Sequence, residues 1–219
     1  MKKGLLTLIY CTMIALCINC FAANYDADQL FSAIEAGKNT KVKQILDNNP
    51  SLACTKNTSG ETPLHTAATY GRLIAAKILI SKSADVNATE MRGYTPLHYA
   101  AAYCHLKLAQ LMIAEGANLN AESQIGETPL HMAAGTGYKM IVVQLIVKGA
   151  IVNARDAAGR TPLHTAATTG SVSVAKILLD RGADINAKDK CNKTPLNIAE
   201  ECGYTSLVKF LRQYKQPNG

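Results

Sequence analysis

The sequence predicts an all-α solenoid built from stacked helical repeats. The tetrapeptide Thr-Pro-Leu-His begins at Thr62, Thr95, Thr128 and Thr161, with a spacing of 33 residues, and the variant Thr194-Pro195-Leu196-Asn197 follows at the same interval. Of the 219 residues, 48% are hydrophobic, but only 5% are aromatic and tryptophan is absent. The period indicates one supersecondary unit that was copied and stacked, and the composition indicates a core of small aliphatic side chains.

The copy that begins at Thr95 shows why each unit should contain two helices. Thr95 suits the N-cap of a helix, and Pro96 suits its first helical position, where a missing N–H costs nothing. The first helix has a short apolar face: Leu97, Ala100 and Ala101. A second and more apolar helix is predicted over residues 106–113, with Gly116 ending it as a C-cap.

The turn residues recur in the same order in every copy. Two residues before each motif stands a residue that adopts positive φ readily: Gly60, Gly93, Gly126, Gly159 and Asn192. A second series is predicted to end the second helices: Ser83, Gly116, Gly149 and Gly182. Capping, turn and core signals therefore agree with one another in each unit.

With these motifs in phase, the chain resembles the ankyrin repeat family, whose repeat length and Thr-Pro-Leu-His-x-Ala signature match four copies here. The segment Gly182-Ala183-Asp184-Ile185-Asn186-Ala187 is also similar to the family. The resemblance covers about residues 26–214. It implies an ankyrin-repeat solenoid, in which each repeat has two antiparallel helices and β-hairpin-like loops join the repeats.

We divide the chain into a leader, six repeat units and a tail. Residues 1–22 are a signal peptide, 23–57 a divergent N-terminal capping repeat, 58–90, 91–123, 124–156 and 157–189 ankyrin repeats, 190–214 a C-terminal capping repeat and 215–219 a tail. Apolar positions on the two helices of the first cap are Leu30, Phe31, Ala33 and Ile34, then Val42, Ile45 and Leu46. The last cap should close the core through Leu207, Val208, Phe210 and Leu211.

The leader has the residue order of a secretory signal peptide. Lys2 and Lys3 precede an uncharged apolar run over residues 4–18, and the small residues Ala22 and Ala23 follow. A membrane-spanning helix needs about 20 apolar residues, so this run is short for one. We expect cleavage near Ala22 or Ala23 and export to the periplasm or beyond, with no stable membrane insertion afterwards. The alternative is that residues 4–18 remain as an uncleaved anchor.

Four of the seven cysteines lie outside the leader, and all four are expected to be free thiols. Neighbouring helices in a stack lie about 8–10 Å apart, whereas a disulfide requires Cα atoms within about 7 Å of each other. The four positions are also not equivalent in their repeats. They are Cys54, Cys104, Cys191 and Cys202.

The motif histidines His65, His98, His131 and His164 should form a column, which raises the question of a metal site. Metal–nitrogen bonds are about 2.0–2.1 Å long, while equivalent residues in neighbouring repeats lie about 8–10 Å apart, so two of these histidines cannot share one ion. We therefore expect them to form hydrogen bonds with backbone groups and to hold each repeat on the next. No metal or cofactor is expected.

Other function classes lack their sequence signals. Removing Lys2 and Lys3 from the formal net charge of +7 leaves +5, and these charges are scattered rather than gathered in the stripe of a nucleic-acid-binding protein. The chain contains no His-Glu-x-x-His, no Gly-x-Ser-x-Gly and no phosphate-binding loop that ends in Gly-Lys-Ser/Thr. We predict neither nucleic-acid binding nor enzymatic activity.

The family resemblance implies that partner proteins bind the hairpin tips and the exposed ends of the first helices, on the concave side. At those positions, the types enriched in interface cores are Tyr70, Met91, Arg92, Tyr94, Tyr103 and Ile125. We predict a monomeric, exported protein-binding module, either a secreted bacterial effector or a protective partner of an exported enzyme. A membrane-tethered scaffold is the alternative, and an enzyme is a remote one.

Overall fold

The computed structural model describes residues 25–214, and these form twelve helices with no strand among them. Helix α1 includes residues 25–35, and a 3₁₀ turn lies at Pro50–Cys54. The others are α2 Asn39–Asn48, α3 Pro63–Thr69, α4 Leu73–Ser81, α5 Pro96–Ala102, α6 Leu106–Ala114, α7 Pro129–Thr136, α8 Lys139–Val147, α9 Pro162–Thr168, α10 Val172–Asp180, α11 Pro195–Glu201 and α12 Thr205–Gln213. The predicted all-α fold is confirmed.

The predicted signal peptide at residues 1–22 and the predicted tail at 215–219 lie outside the described residues. Within residues 25–214, no helix combines the length and the apolar character that crossing a membrane requires.

The helices stack in two layers around one continuous core. First helices pack on first helices in the order α3, α5, α7, α9, α11, and second helices pack in the order α2, α4, α6, α8, α10, α12. Alanines recur at one buried position of the first helices α3, α5, α7, α9 and α11: Ala67, Ala100, Ala133, Ala166 and Ala199. A small side chain at this position allows neighbouring first helices to approach closely, so the repeats can stack without voids.

Most of the apolar side chains predicted to close the two ends of the stack are buried, and some are only half-buried. In α1, Leu30, Ala33 and Ile34 are buried, but Phe31 is only half-buried and turns toward the first-helix side of the stack. In α12, Leu207 and Leu211 are buried, whereas Val208 and Phe210 are half-buried.

Each Thr-Pro-Leu-His motif closes a capping box at the start of a first helix. In α5, the Thr95 N–H donates to Nδ1 of His98 at 3.0 Å, and Oγ1 of Thr95 lies 2.9 Å from the same nitrogen. Because a backbone N–H can only donate, Nδ1 is the acceptor and the ring proton lies on Nε2. Nε2–H then donates to the carbonyl of Glu127 in the next repeat, at 3.0 Å.

The same bond to the following repeat occurs in every complete motif. Nε2 of His65, His131 and His164 lies 3.0, 3.1 and 3.1 Å from the carbonyls of Tyr94, Arg160 and Lys193, respectively. The predicted role of the histidines is confirmed. In the variant motif, Oδ1 of Asn197 accepts the Thr194 N–H at 3.0 Å and keeps the cap. No further repeat follows it in the described chain, and asparagine there provides the cap alone.

The bonding pattern of the four rings requires neutral imidazole. Protonation would place a hydrogen on Nδ1, and this nitrogen could then no longer accept the threonine N–H. Burial lowers the pKa of all four histidines, and it lowers the pKa of His98 to about 4. The bond from Nε2 to the Glu127 carbonyl works in the opposite direction and is the smaller effect on His98.

The loops that join the repeats are hairpin-like turns in contact with one another. In the second of them, Glu90 N–H donates to Tyr94 O at 3.1 Å, and Gly93 closes the turn with φ of +81°. A Cβ on Gly93 would lie 2.9 Å from the backbone nitrogen of Gln124 in the next loop. Glycine is therefore needed for its backbone angle and for the close approach of the neighbouring turn.

We predict that His98→Asn destabilises the protein by about 2–3 kcal/mol, because the Glu127 carbonyl loses one of its two donors and keeps only the Ser123 N–H, and because the buried ring leaves a cavity, while the capping bond persists. Urea denaturation at neutral pH measures this. Asn197→His is the matched control: position 197 is exposed, so the change should stay within about 0.5 kcal/mol. Equal losses in the two variants would contradict the role of the inter-repeat bond.

The pKa shifts also predict how stability depends on pH. An unfolded histidine titrates near 6.5, whereas folded His98 titrates at about 4, so between these values the unfolded state binds the proton first. The contribution of the neutral histidines to the free energy of unfolding is complete above pH 6.5 and decreases as the pH falls toward 4. His98 supplies about 3 kcal/mol of this contribution. His98→Asn should flatten this slope, and an unchanged slope would contradict the assignment.

Candidate protein-binding surface

A groove of about 550 Å³ opens on the side of the stack formed by the exposed faces of the first helices, here called the first-helix face. It lies among α1, α3, α5 and the two turns that precede α3 and α5. We call it the aromatic groove after its walls, which include Phe31, Glu61, Tyr70, Arg92, Tyr99 and Tyr103. Its size is within the range of about 300–1,000 Å³ typical of binding sites.

The structure brings together four of the six predicted residues. Tyr70, Arg92 and Tyr103 line the aromatic groove, and Tyr94 lines a smaller neighbouring groove of about 220 Å³ that shares Arg92 and Tyr103 with it. Met91 and Ile125 line neither groove. They lie in the turns of successive repeats, where 64% of Met91 and 50% of Ile125 are exposed.

Tyr99 is one of several groove residues that the sequence did not reveal, along with Asp28, Phe31 and Glu35, and it has the most side-chain contacts of these. Its hydroxyl donates to Oε1 of Glu61 at 3.2 Å, and Nη2 of Arg92 donates to the same hydroxyl at 3.3 Å. Its ring stacks on Tyr103 at 6.5 Å between centroids. Tyr99 occupies the variable position x in Thr-Pro-Leu-His-x-Ala. The variation at this position between copies is the sequence feature that could have identified Tyr99 as a surface residue.

Tyr94 is held within the scaffold through both its hydroxyl and its ring. Its hydroxyl donates to Oε2 of Glu127 in the next repeat at 2.7 Å, and its ring meets His98 edge-on at 5.4 Å. Burial raises the pKa of Tyr94, and the bond to Glu127 raises it further. Tyr103, by contrast, is 53% exposed, so its ring remains open to contact.

Arg92 is oriented by neighbours on three sides. Besides its bond to Tyr99, its Nε lies 3.6 Å from Oε2 of Glu90, and its guanidinium lies 5.2 Å from the centroid of the Tyr94 ring. The bond to Tyr99 is the main reason that the pKa of Arg92 is raised. The side chain is nevertheless 68% exposed. The direction of the guanidinium is therefore set within the protein before any partner binds.

The other polar side chains bear on metal binding, and the cysteines on disulfide formation. Across residues 25–214, no three His, Cys, Asp or Glu side chains come close enough to hold a metal ion. The cysteines at 54, 104, 191 and 202 are free thiols.

The stacked helix pairs and their open first-helix face define a helical repeat protein. A family model described as "Ankyrin repeats (3 copies)" matches residues 30–123 and 107–189, and one described as "Ankyrin repeats (many copies)" matches residues 169–212. The chain belongs to the ankyrin repeat family, and this membership implies a protein-interaction module. A comparison with curated proteins finds no match.

Because the Tyr94 hydroxyl is bonded and the Tyr103 hydroxyl is exposed, removing each of them should change the free energy of unfolding by a different amount. Tyr94→Phe should cost about 1–2 kcal/mol, because Glu127 loses a donor in a half-buried site. Tyr103→Phe is the matched control, and its exposed hydroxyl should be worth less than about 0.5 kcal/mol. Chemical denaturation of both variants measures the difference. A Tyr103→Phe loss as large as that of Tyr94→Phe would contradict the assignment.

Proposed function

We propose that this protein is a non-enzymatic protein-binding module that acts outside the cytoplasm. Its partner docks on the first-helix face, centred on the aromatic groove and extending to the turns that carry Met91 and Ile125. The observation that carries this proposal is the clustering of Tyr70, Tyr99, Tyr103 and Arg92 around one groove. Tyrosine and arginine are the residues that most often dominate binding energy at the centres of protein interfaces.

The exposure of two of these four side chains and the fixed orientation of the other two support a role in binding rather than in the stability of the fold. Tyr70 is 47% exposed and Tyr103 is 53% exposed, so burial by a partner would remove considerable apolar area from water. Tyr99 and Arg92 are already oriented by hydrogen bonds, so little conformational entropy is lost when they are covered. The surface is open and pre-organised, as expected for a binding face.

The export part of the proposal rests on the leader sequence. Lys2, Lys3 and the apolar run over residues 4–18 have the order of a signal peptide, and the run is short for a membrane span. We propose cleavage after Ala22 or Ala23, release as a monomer and no stable membrane insertion. The second candidate is an ankyrin scaffold tethered by an uncleaved leader.

We predict that Tyr103→Ala reduces capture of the partner by the full chain at least about tenfold, because removing a central aromatic anchor costs about 2 kcal/mol or more. Capture from cell extracts, quantified by mass spectrometry, measures this. Tyr138→Ala is the matched control, because Tyr138 is 59% exposed and lines neither groove. Unchanged capture by Tyr103→Ala, or an equal loss in the control, would exclude this surface.

The leader proposal predicts the mass of the N-terminal peptide after expression in cells that export proteins. Cleavage after Ala22 or Ala23 gives a mature chain that starts at Ala23 or Asn24. A chain that keeps residues 4–18 and stays with the membrane fraction would instead establish the tethered scaffold.

A further inference from the structure

We infer that the partner inserts a basic side chain, lysine or arginine, into the aromatic groove. This inference rests on the proposed function and names the chemistry that the groove selects. Among residues 25–214, three carboxylates and one guanidinium line the groove: Asp28, Glu35, Glu61 and Arg92. The groove is therefore acidic, although the chain as a whole has a formal net charge of +7.

The charge of Arg92 is already compensated within the protein. The Glu90 carboxylate lies 3.6 Å from its Nε, and the Glu90 side chain is only 3% exposed, so this negative charge is directed at Arg92 and not at solvent. Tyr99 and the Tyr94 ring hold the guanidinium in place. The positive charge of Arg92 consequently does not cancel the negative charge of the three carboxylates that line the groove.

Two of those carboxylates have no partner in the part of the chain that the structure describes. Neither Asp28 nor Glu35 has a side-chain hydrogen bond or an ion pair with any other residue in the 25–214 range, and both are exposed on α1. The third, Glu61, accepts from Asn57 at 3.0 Å and from Tyr99 at 3.2 Å, so its position is fixed by two donors. The groove combines one oriented carboxylate with two that are available.

The aromatic walls suit the same ligand. Tyr99 and Tyr103 lie nearly parallel, with 25° between their planes, and Tyr70 lines the same groove. A cation near the face of a tyrosine ring is attracted by the ring's quadrupole, and the aliphatic stem of lysine or arginine packs well against aromatic surface. Charge complementarity therefore favours a basic segment of a partner protein, and an acidic segment would be repelled here.

Short capped peptides of one sequence, which differ only at a central Lys, Arg, norleucine or Glu, test this inference on the full chain. Amide chemical shifts of the groove residues report binding in an NMR titration. We expect the Lys and Arg peptides to bind at least about tenfold more tightly than the norleucine and Glu peptides. Raising the salt concentration should reduce that preference, because the carboxylates are exposed.

Two double variants separate the groove from general charge effects. Asp28→Asn with Glu35→Gln should weaken the Lys and Arg peptides about fivefold to tenfold and leave the norleucine peptide unchanged. Glu115→Gln with Glu122→Gln removes the same charge from exposed positions outside the groove, and binding should be unaffected. Equal binding of all four peptides, no binding of any peptide, or equal effects of the two double variants would overturn the inference.

One competing occupant is this chain's own leader, which carries Lys2 and Lys3. If Lys2→Ser with Lys3→Ser moves the groove amide resonances in the absence of peptide, the basic ligand is internal and the inference about a partner is wrong. The proposed function is tested separately by Tyr103→Ala. If partner capture is lost with Tyr103→Ala but retained with Asp28→Asn and Glu35→Gln, the binding surface stands and only its preference for a basic side chain fails.

Discussion

The two-sided hydrogen bonding of the motif imidazole is the interaction on which the rest of this structure depends. One nitrogen of His98 accepts the N–H of Thr95 within its own repeat, and the other donates to Glu127 in the next repeat. A single neutral ring therefore starts a helix and fixes the position of the following repeat. Because repeats contact only their neighbours, stability in a solenoid is built from local interfaces of this kind.

The proposed binding surface is built directly on this arrangement. The carbonyl of Tyr94 accepts the bond from His65, while the Tyr94 hydroxyl reaches Glu127 one repeat further on. Tyr99 follows His98 immediately in the sequence, so fixing the imidazole also fixes where the Tyr99 ring emerges on the first-helix face. The scaffold residues set the geometry, and the variable residues beside them supply the side chains of the proposed binding surface.

The periodic sequence was sufficient to predict the helices, their caps, the positive φ of Asn192 and the role of the histidines, because each depends on local patterns that recur in every copy. It did not reveal Tyr99, nor the half-buried position of Phe31 beside the groove. Tyr99 reaches Glu61, 38 residues earlier, and such a bond depends on how the repeats are stacked. The structural role of the Tyr94 hydroxyl was missed for the same reason, since Glu127 lies 33 residues away.

Imidazole NMR spectra of the full chain, recorded from neutral pH downward, test the central claim most directly. We expect His65, His98, His131 and His164 all to carry their proton on Nε2 at neutral pH and all to titrate below 6.5, with His98 at about 4. A proton on Nδ1 in these rings, or titration at the ordinary value for an exposed histidine, would show that the imidazoles do not hold the repeats together as described.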